Sequence, residues 1–196
     1  MVAGRKPVGL LLAPGASADR DQATLVAIDR ELSAADVEVA RMDFGYRRAG
    51  RRAPDKQAVL VDAVVAEAAA LAESAGVAPA HIFLGGRSMG GRICSIAVAE
   101  GLPARGLVLI SYPLHPPGRP DRLRTEHFPA IRVPCLFVSG TRDAFGSPEE
   151  LEAETAAIPG PVTYHWIEGK DHSLRDVDAE VTATIGAWLS RRRPRG

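Results

Sequence analysis

Six short apolar runs recur along this chain, and most gaps between them carry helical periodicity. Residues 8–12, 37–42, 81–85, 106–111, 135–139 and 162–167 read as strands. The run at 8–12 is apolar throughout rather than alternating, as expected of a strand covered on both faces. Residues 22–35 place Leu25, Ile28 and Leu32 on one helical face. Residues 55–74 do the same with Leu60, Val64, Ala68 and Leu71, and Gly76 stands just past their end. Residues 176–190 present Val177, Val181, Ile185 and Trp188, and Ser147-Pro148-Glu149-Glu150 has the capped start of another helix. Alternation of this kind predicts an α/β fold: a mostly parallel six-stranded sheet with helices on both faces. A length of 196 residues favours a single domain over residues 1–196 with a sizeable core.

One strand-to-helix junction carries chemistry. The third strand runs into Gly86-Arg87-Ser88-Met89-Gly90, and residues 91–100 read as a helix. G-x-S-x-G between a strand and a helix describes a nucleophile elbow, a strained turn that lifts the serine hydroxyl clear of the sheet. A side chain at position 86 or 90 is expected to collide with the tightly turned neighbouring backbone. The competing reading is a Gly-rich turn with an incidental serine.

Serine is a weak nucleophile, so it needs a general base and that base an orienting carboxylate. In an open parallel sheet, sites gather at the carboxyl ends of the strands. Asp143 follows the fifth strand in a glycine-flanked loop, where its plain alternative is an Asx-turn. His172 follows the sixth strand at the same end. The order Ser88, Asp143, His172 is that of an α/β-hydrolase. His81 opens a strand at the wrong end, and His165 is mid-strand. His115 and His127 lie in a long connection that no strand end points at Ser88. Asp171 reads as a loop residue. An oxyanion hole needs two N–H donors. Met89 supplies one, and the loop at 13–17 supplies the other: Ala16 first, with Gly15 and Ser17 as alternates. Pro14 has no N–H.

Composition narrows the classes. There are 24 basic and 24 acidic residues, so no global field draws the chain to nucleic acid or to an anionic membrane. Cys94 and Cys135 sit in apolar segments and read as buried free thiols, which implies a reducing, cytoplasmic setting. Arg5, Lys6 and the apolar run after them imitate a signal peptide, but that run is too short and is better used as the first strand. No apolar run approaches the ~20 residues of a membrane span. No ligand spacing points to a metal, and the lysine of a phosphate loop is missing, so no cofactor is expected.

Together these residues resemble the α/β-hydrolase superfamily, and within it a small dienelactone-hydrolase-like branch. The chain is most similar to bacterial relatives of the hydrolase-like subunit of the non-specific-lethal chromatin complex. Four stretches carry the likeness: 85–92 around the elbow, Tyr112-Pro113-Leu114-His115-Pro116-Pro117-Gly118, Leu123-Arg124-Thr125-Glu126-His127, and 140–146 around Asp143. The resemblance implies a triad of Ser88, Asp143 and His172, strand order 2-1-3-4-5-6, and no large lid. Such a site is expected to cleave a small ester-like substrate through an acyl-enzyme. The alternatives are a hydrolase-fold interaction module with a vestigial site, or a haloperoxidase or transferase on the same triad. Gly15, Arg87, Tyr112 and His115 are the candidate substrate-binding residues. One departure stands out: relatives often carry His-Gly-Ala after the first strand, and this chain has Pro14-Gly15-Ala16.

The connection from 113 to 134 is Pro-rich, with at most a short helix near 121–127. Arg119, Arg122, Arg124 and His127 are expected to make the rim polar and basic, and the loop holding Arg47, Arg48, Arg51 and Arg52 to add to that field. The expected preference is for small, polar or anionic acyl substrates. The opposing reading pairs these arginines with surface carboxylates.

Overall fold

The computed structural model describes residues 8–193. The reading of Arg5 and Lys6 lies outside them. Strands β1 (Val8–Ala13), β2 (Val37–Arg41), β3 (Ile82–Arg87), β4 (Gly106–Ile110), β5 (Cys135–Gly140) and β6 (Val162–Ile167) form one sheet. Their order is β2-β1-β3-β4-β5-β6, as expected, and every neighbouring pair is parallel. The order reverses at β1 and β3. A crevice therefore opens beyond the carboxyl ends of those two strands.

Six helices accompany the sheet among the described residues: α1 (Ala23–Ser33), α2 (Gly45–Arg48), α3 (Gln57–Ser74), α4 (Met89–Ala99), α5 (Pro148–Thr155) and α6 (Asp178–Ser190). Successive strand residues point to opposite faces. Leu10, Leu12, Phe83, Val108, Leu136 and Val138 pack with Leu25, Ile28 and Leu32 of α1 and with Val181, Ile185 and Trp188 of α6. Leu11, Leu84, Leu109 and Phe137 pack on the other face with Leu60, Val64 and Leu71 of α3 and with Ile93 and Ile96 of α4. Each such large side chain contributes about 1.5–3 kcal/mol on burial. Both thiols lie in this core, unpaired and buried, as the sequence led us to expect. Burial pushes Cys94 and Cys135 up to about 12, so both stay protonated.

Two segments differ from expectation. The basic loop after β2 winds into α2, and its arginines pair with carboxylates: Arg47 with Asp19, Arg48 with Glu67 and Arg51 with Asp55. The long connection forms no helix at 121–127. It makes a 3-10 turn at Phe128–Ala130 instead. The Arg124 N–H is taken by the Leu114 carbonyl at 2.9 Å, a partner outside any helical ladder. Phe128, fully buried against Tyr112 and Phe137, anchors the turn.

Candidate active site

Ser88 stands between β3 and α4 with φ 50 and ψ −118, a conformation that a non-glycine residue adopts only under restraint. Its N–H donates to the Ile110 carbonyl at 2.8 Å, and its carbonyl accepts from the Arg92 N–H at 3.1 Å. The two glycines of the motif are needed, though not for the expected reason. A Cβ at Gly86 would lie 2.0 Å from the Ala13 oxygen, and one at Gly90 would lie 2.2 Å from the same atom. The obstacle is the end of β1 rather than the turn itself. This close approach brings the loop after β1 alongside Ser88.

His172 reaches Ser88 from the loop after β6. Its Nε2 is 3.0 Å from Ser88 Oγ, and its Nδ1 is 2.8 and 3.0 Å from the two Asp143 oxygens. The carboxylate fixes the tautomer: Nδ1–H donates to Asp143, and Nε2 is left to accept from the serine hydroxyl. The Asp143 side chain is 1% exposed. It also accepts the Phe145 N–H at 2.9 Å, so it makes an Asx-turn and holds His172 at once. The Phe145 ring lies over the imidazole, 4.0 Å between centroids. The acid and histidine loops are laced together. A Cβ at Gly140 would sit 2.1 Å from the Lys170 oxygen, which accepts the Arg142 N–H at 2.9 Å. Asp171 turns to its own loop and accepts from the Ser173 N–H at 2.8 Å.

The loop after β1 is pinned twice. Gln22 Oε1 accepts the Gly15 N–H at 3.2 Å, and the Tyr46 hydroxyl donates to the Ala16 carbonyl at 2.7 Å. The Gly15 N–H is thereby occupied, which removes that alternate and leaves Ala16 and Ser17. Met89 is the first residue of α4, and its N–H has no acceptor inside the helix. Gln22 and Tyr46 thus hold the loop that carries Pro14-Gly15-Ala16. Their partners lie 7 and 30 residues away in sequence, so no local pattern announced them.

A cleft of about 530 Å³ opens at Ser88. It is lined by residues 15–18, by Arg92, Pro113 and Arg124, and by Phe145 and His172. Of the four expected substrate-binding residues, Gly15 and Arg87 line it and two do not. Tyr112 is buried against Phe128 and Phe137, and its hydroxyl donates to the Arg124 carbonyl at 2.7 Å. Burial raises its phenol above the ordinary range. His115 is buried too. Its Nδ1 donates to the Pro116 carbonyl at 2.8 Å, its Nε2 lies 3.4 Å from Glu150, and its N–H donates to the Phe145 carbonyl at 3.1 Å. Both residues brace the cleft from behind: Tyr112 packs inward among aromatics, and His115 is held by backbone and by α5.

Arg87 also differs from expectation. It is 7% exposed, and its guanidinium is engaged. Nη2 donates to the His172 carbonyl, and Nη1 reaches Thr24 Oγ1 at 3.4 Å. That hydroxyl donates in turn to Asp178 at 2.7 Å. Burial lowers the Arg87 pKa, opposed by the charges of Asp178, Asp143 and Asp171. Its contacts mark Arg87 as a brace for the histidine loop.

Of the arginines and histidine expected on the rim, Arg124 lines the cleft. Arg119 pairs with Asp121 at 3.3 Å, and Arg122 is exposed. His127 points inward, with Nε2 2.8 Å from Ser95 Oγ. That hydroxyl donates to the Arg92 carbonyl, so His127 is the donor to it. Burial first, then the Arg92 charge, pushes His127 down to about 4. Sequence reading missed Arg92, although it stands only four residues beyond Ser88, in the first turn of α4. Among the described residues, no group of three or more His, Cys, Asp and Glu side chains is gathered to hold a metal. No described helix is long and apolar enough to cross a membrane.

The family profile described as an alpha/beta hydrolase domain matches residues 6–186. Solved structures agree in fold. A lidless α/β serine hydrolase from Xanthomonas campestris superposes with a TM-score of 0.78 at 16% identity, over 100% of this chain and 86% of that one. Est1E from Butyrivibrio proteoclasticus gives 0.77 at 15%, over 96% and 89%. A dienelactone hydrolase from Anabaena variabilis gives 0.75 at 17%, over 96% and 88%.

Proposed function

The chain belongs to the α/β-hydrolase family, and from that premise we propose that it is a serine hydrolase cleaving an ester or related acyl bond through an acyl-enzyme. The observation that carries the reading is the unbroken relay Asp143–His172–Ser88, with spacings of 2.8 and 3.0 Å, beside a cleft. Ser88 Oγ attacks the acyl carbon as its proton passes to His172 Nε2. Asp143 holds the imidazole in the accepting tautomer and stabilises the imidazolium that forms. The N–H groups of Met89 and Ala16 receive the developing oxyanion. Collapse of the tetrahedral intermediate breaks the bond to the leaving alcohol, which takes the proton from His172. Water then attacks the acyl-Ser88 by the same route and releases the acid.

The substrate in this reading is a small molecule met in the cytoplasm, and the branch is the dienelactone-hydrolase-like one. The four sequence stretches and the lidless fold likeness support it. The intact relay weighs against a purely structural module. Hydrolysis of 4-nitrophenyl acetate by purified wild type and Ser88→Ala tests the proposal. A fall in kcat of roughly 10⁴-fold or more, with the fold intact, is expected. An unchanged rate in the variant would falsify the mechanism.

A further inference from the structure

Arg92 and Arg124 face one cleft, and neither makes an ion pair with a carboxylate among the described residues. Three other guanidinium groups near this end of the sheet are engaged: Arg47 with Asp19, Arg51 with Asp55, and Arg87 with the His172 carbonyl. Arg92 donates from Nη2 to the Gln57 side chain at 3.0 Å, while its buried Nε has no acceptor. Arg124 makes a 3.4 Å contact from Nη1 to the Pro113 carbonyl. Each contact is to a neutral group, and each leaves N–H donors over. The two charges are close enough that Arg92 depresses the pKa of Arg124, second only to burial.

Neither side chain stands on a loose segment. Arg92 sits in the first turn of α4, where its N–H donates to the Ser88 carbonyl at 3.1 Å, and both residues line the cleft. The Arg124 backbone is held on both sides: its N–H donates to Leu114 at 2.9 Å, and its carbonyl accepts from Tyr112 at 2.7 Å. Two half-buried cations held together, with donors to spare, disfavour the empty cleft and favour an anion between them. Nearby groups do not serve: Glu126 is exposed and bonds to neither, and His127 is neutral at pH 7.

We infer that Arg92 and Arg124 form a carboxylate-binding subsite beside Ser88, so that the substrate is an ester carrying a free carboxylate a few carbons from the scissile bond. The inference rests on the serine-hydrolase reading and adds the substrate class to it. Arg92 and Arg124 act as specificity residues, gripping the remote carboxylate while Ser88 attacks the ester carbon.

Two matched ester pairs test it. Mono-(4-nitrophenyl) glutarate and 4-nitrophenyl pentanoate differ by a carboxylate on the acyl side; 4-acetoxybenzoate and phenyl acetate differ by one on the alcohol side. The quantity read is the ratio of kcat/KM, anionic over neutral, in which any loss common to both esters cancels. Wild type should favour the anionic member of at least one pair by about tenfold, mainly through KM, and added salt should shrink the ratio. Arg92→Gln and Arg124→Gln should each lower that ratio about tenfold, and Arg92→Lys should recover part of it. Equal use of both members by wild type overturns the subsite while leaving the hydrolase reading intact. So does a preference that survives in the two Gln variants, or an equal drop in Arg119→Gln, whose residue pairs with Asp121. Failure of wild type to hydrolyse any of the four overturns both.

Discussion

Ser88 keeps its unusual backbone because its neighbours leave no alternative. Its N–H is tied to β4 through Ile110, and Gly86 and Gly90 let β1 approach within a distance that no Cβ allows. Gly90 is the sharper probe. An added methyl there would meet the Ala13 oxygen at 2.2 Å and the Pro14 oxygen at 2.6 Å, both of them backbone atoms that cannot swing away. Gly90→Ala should therefore push the loop at 14–16 outward, cost about 1–3 kcal/mol of stability, and remove most of the hydrolytic rate through the lost oxyanion donor. Thermal melting and kcat on one preparation check this. A variant with wild-type melting and wild-type kcat would mean that the loop does not depend on this contact. At this scale the sequence was legible where chemistry dictates residue type. That Ser88, Asp143 and His172 come together was readable from the G-x-S-x-G elbow and from the places of the other two after strands. Tyr112 and His115 were not, because a side chain's direction is set by what packs around it, and here the aromatic cluster with Phe128 and the Glu150 carboxylate turn both away from the cleft.

Loops after strands carry the groups of the candidate site, and each is held by a different device. The acid loop is closed by its own Asx-turn, the histidine loop by Arg87, and the loop after β1 by Gln22 and Tyr46. Arg87 acts on His172 through its backbone, so its removal should slow proton transfer between Ser88 and His172 rather than weaken binding. Arg87→Met should lower kcat by about 10–100-fold with KM nearly constant, the cost of misplacing a base by about an ångström. A variant with lowered melting temperature and unchanged kcat would make Arg87 a fold residue only. The long connection offers a pH probe. Folded His127 is held near 4 by burial and by Arg92, against 6.5 for a free imidazole. Between those values the unfolded chain binds a proton that the folded one refuses. Stability from this group is thus complete above pH 6.5 and is lost as pH falls toward 4. His127→Gln retains a donor for Ser95 without the titration, so its melting temperature should fall less than that of wild type over that interval. Parallel curves would contradict the buried, neutral imidazole. Strand and helix positions were legible to within a few residues, since apolar runs and caps are local signals. The 3-10 turn at Phe128 and the short helix α2 were not, because both owe their form to tertiary anchors and not to periodicity.

The whole molecule is one twisted sheet with helices on both faces, and its site lies where the strand order reverses. Six apolar runs and five helical patterns were enough to anticipate that architecture, because a strand that is apolar on both sides admits few other arrangements. The cleft's electrostatic character was less legible. Net charge is zero over the chain, and most arginines in the basic stretches pair with carboxylates on neighbouring elements. The cations left facing the cleft are Arg124, one of the four residues expected on the rim, and Arg92, which sequence reading passed over. Among the described residues no segment covers the cleft, in keeping with the lidless fold, so Ser88 should be open to reagents that need no particular substrate. That makes one measurement decisive. Incubation of the folded protein with a fluorophosphonate, followed by peptide mass mapping, should give a single covalent adduct on the peptide bearing Ser88. Labelling should be absent in Ser88→Ala and strongly slowed in His172→Ala, since only a serine activated by its histidine attacks phosphorus at a useful rate. A folded wild-type protein that remains unlabelled, or that is labelled equally in His172→Ala, would contradict the relay on which the account depends.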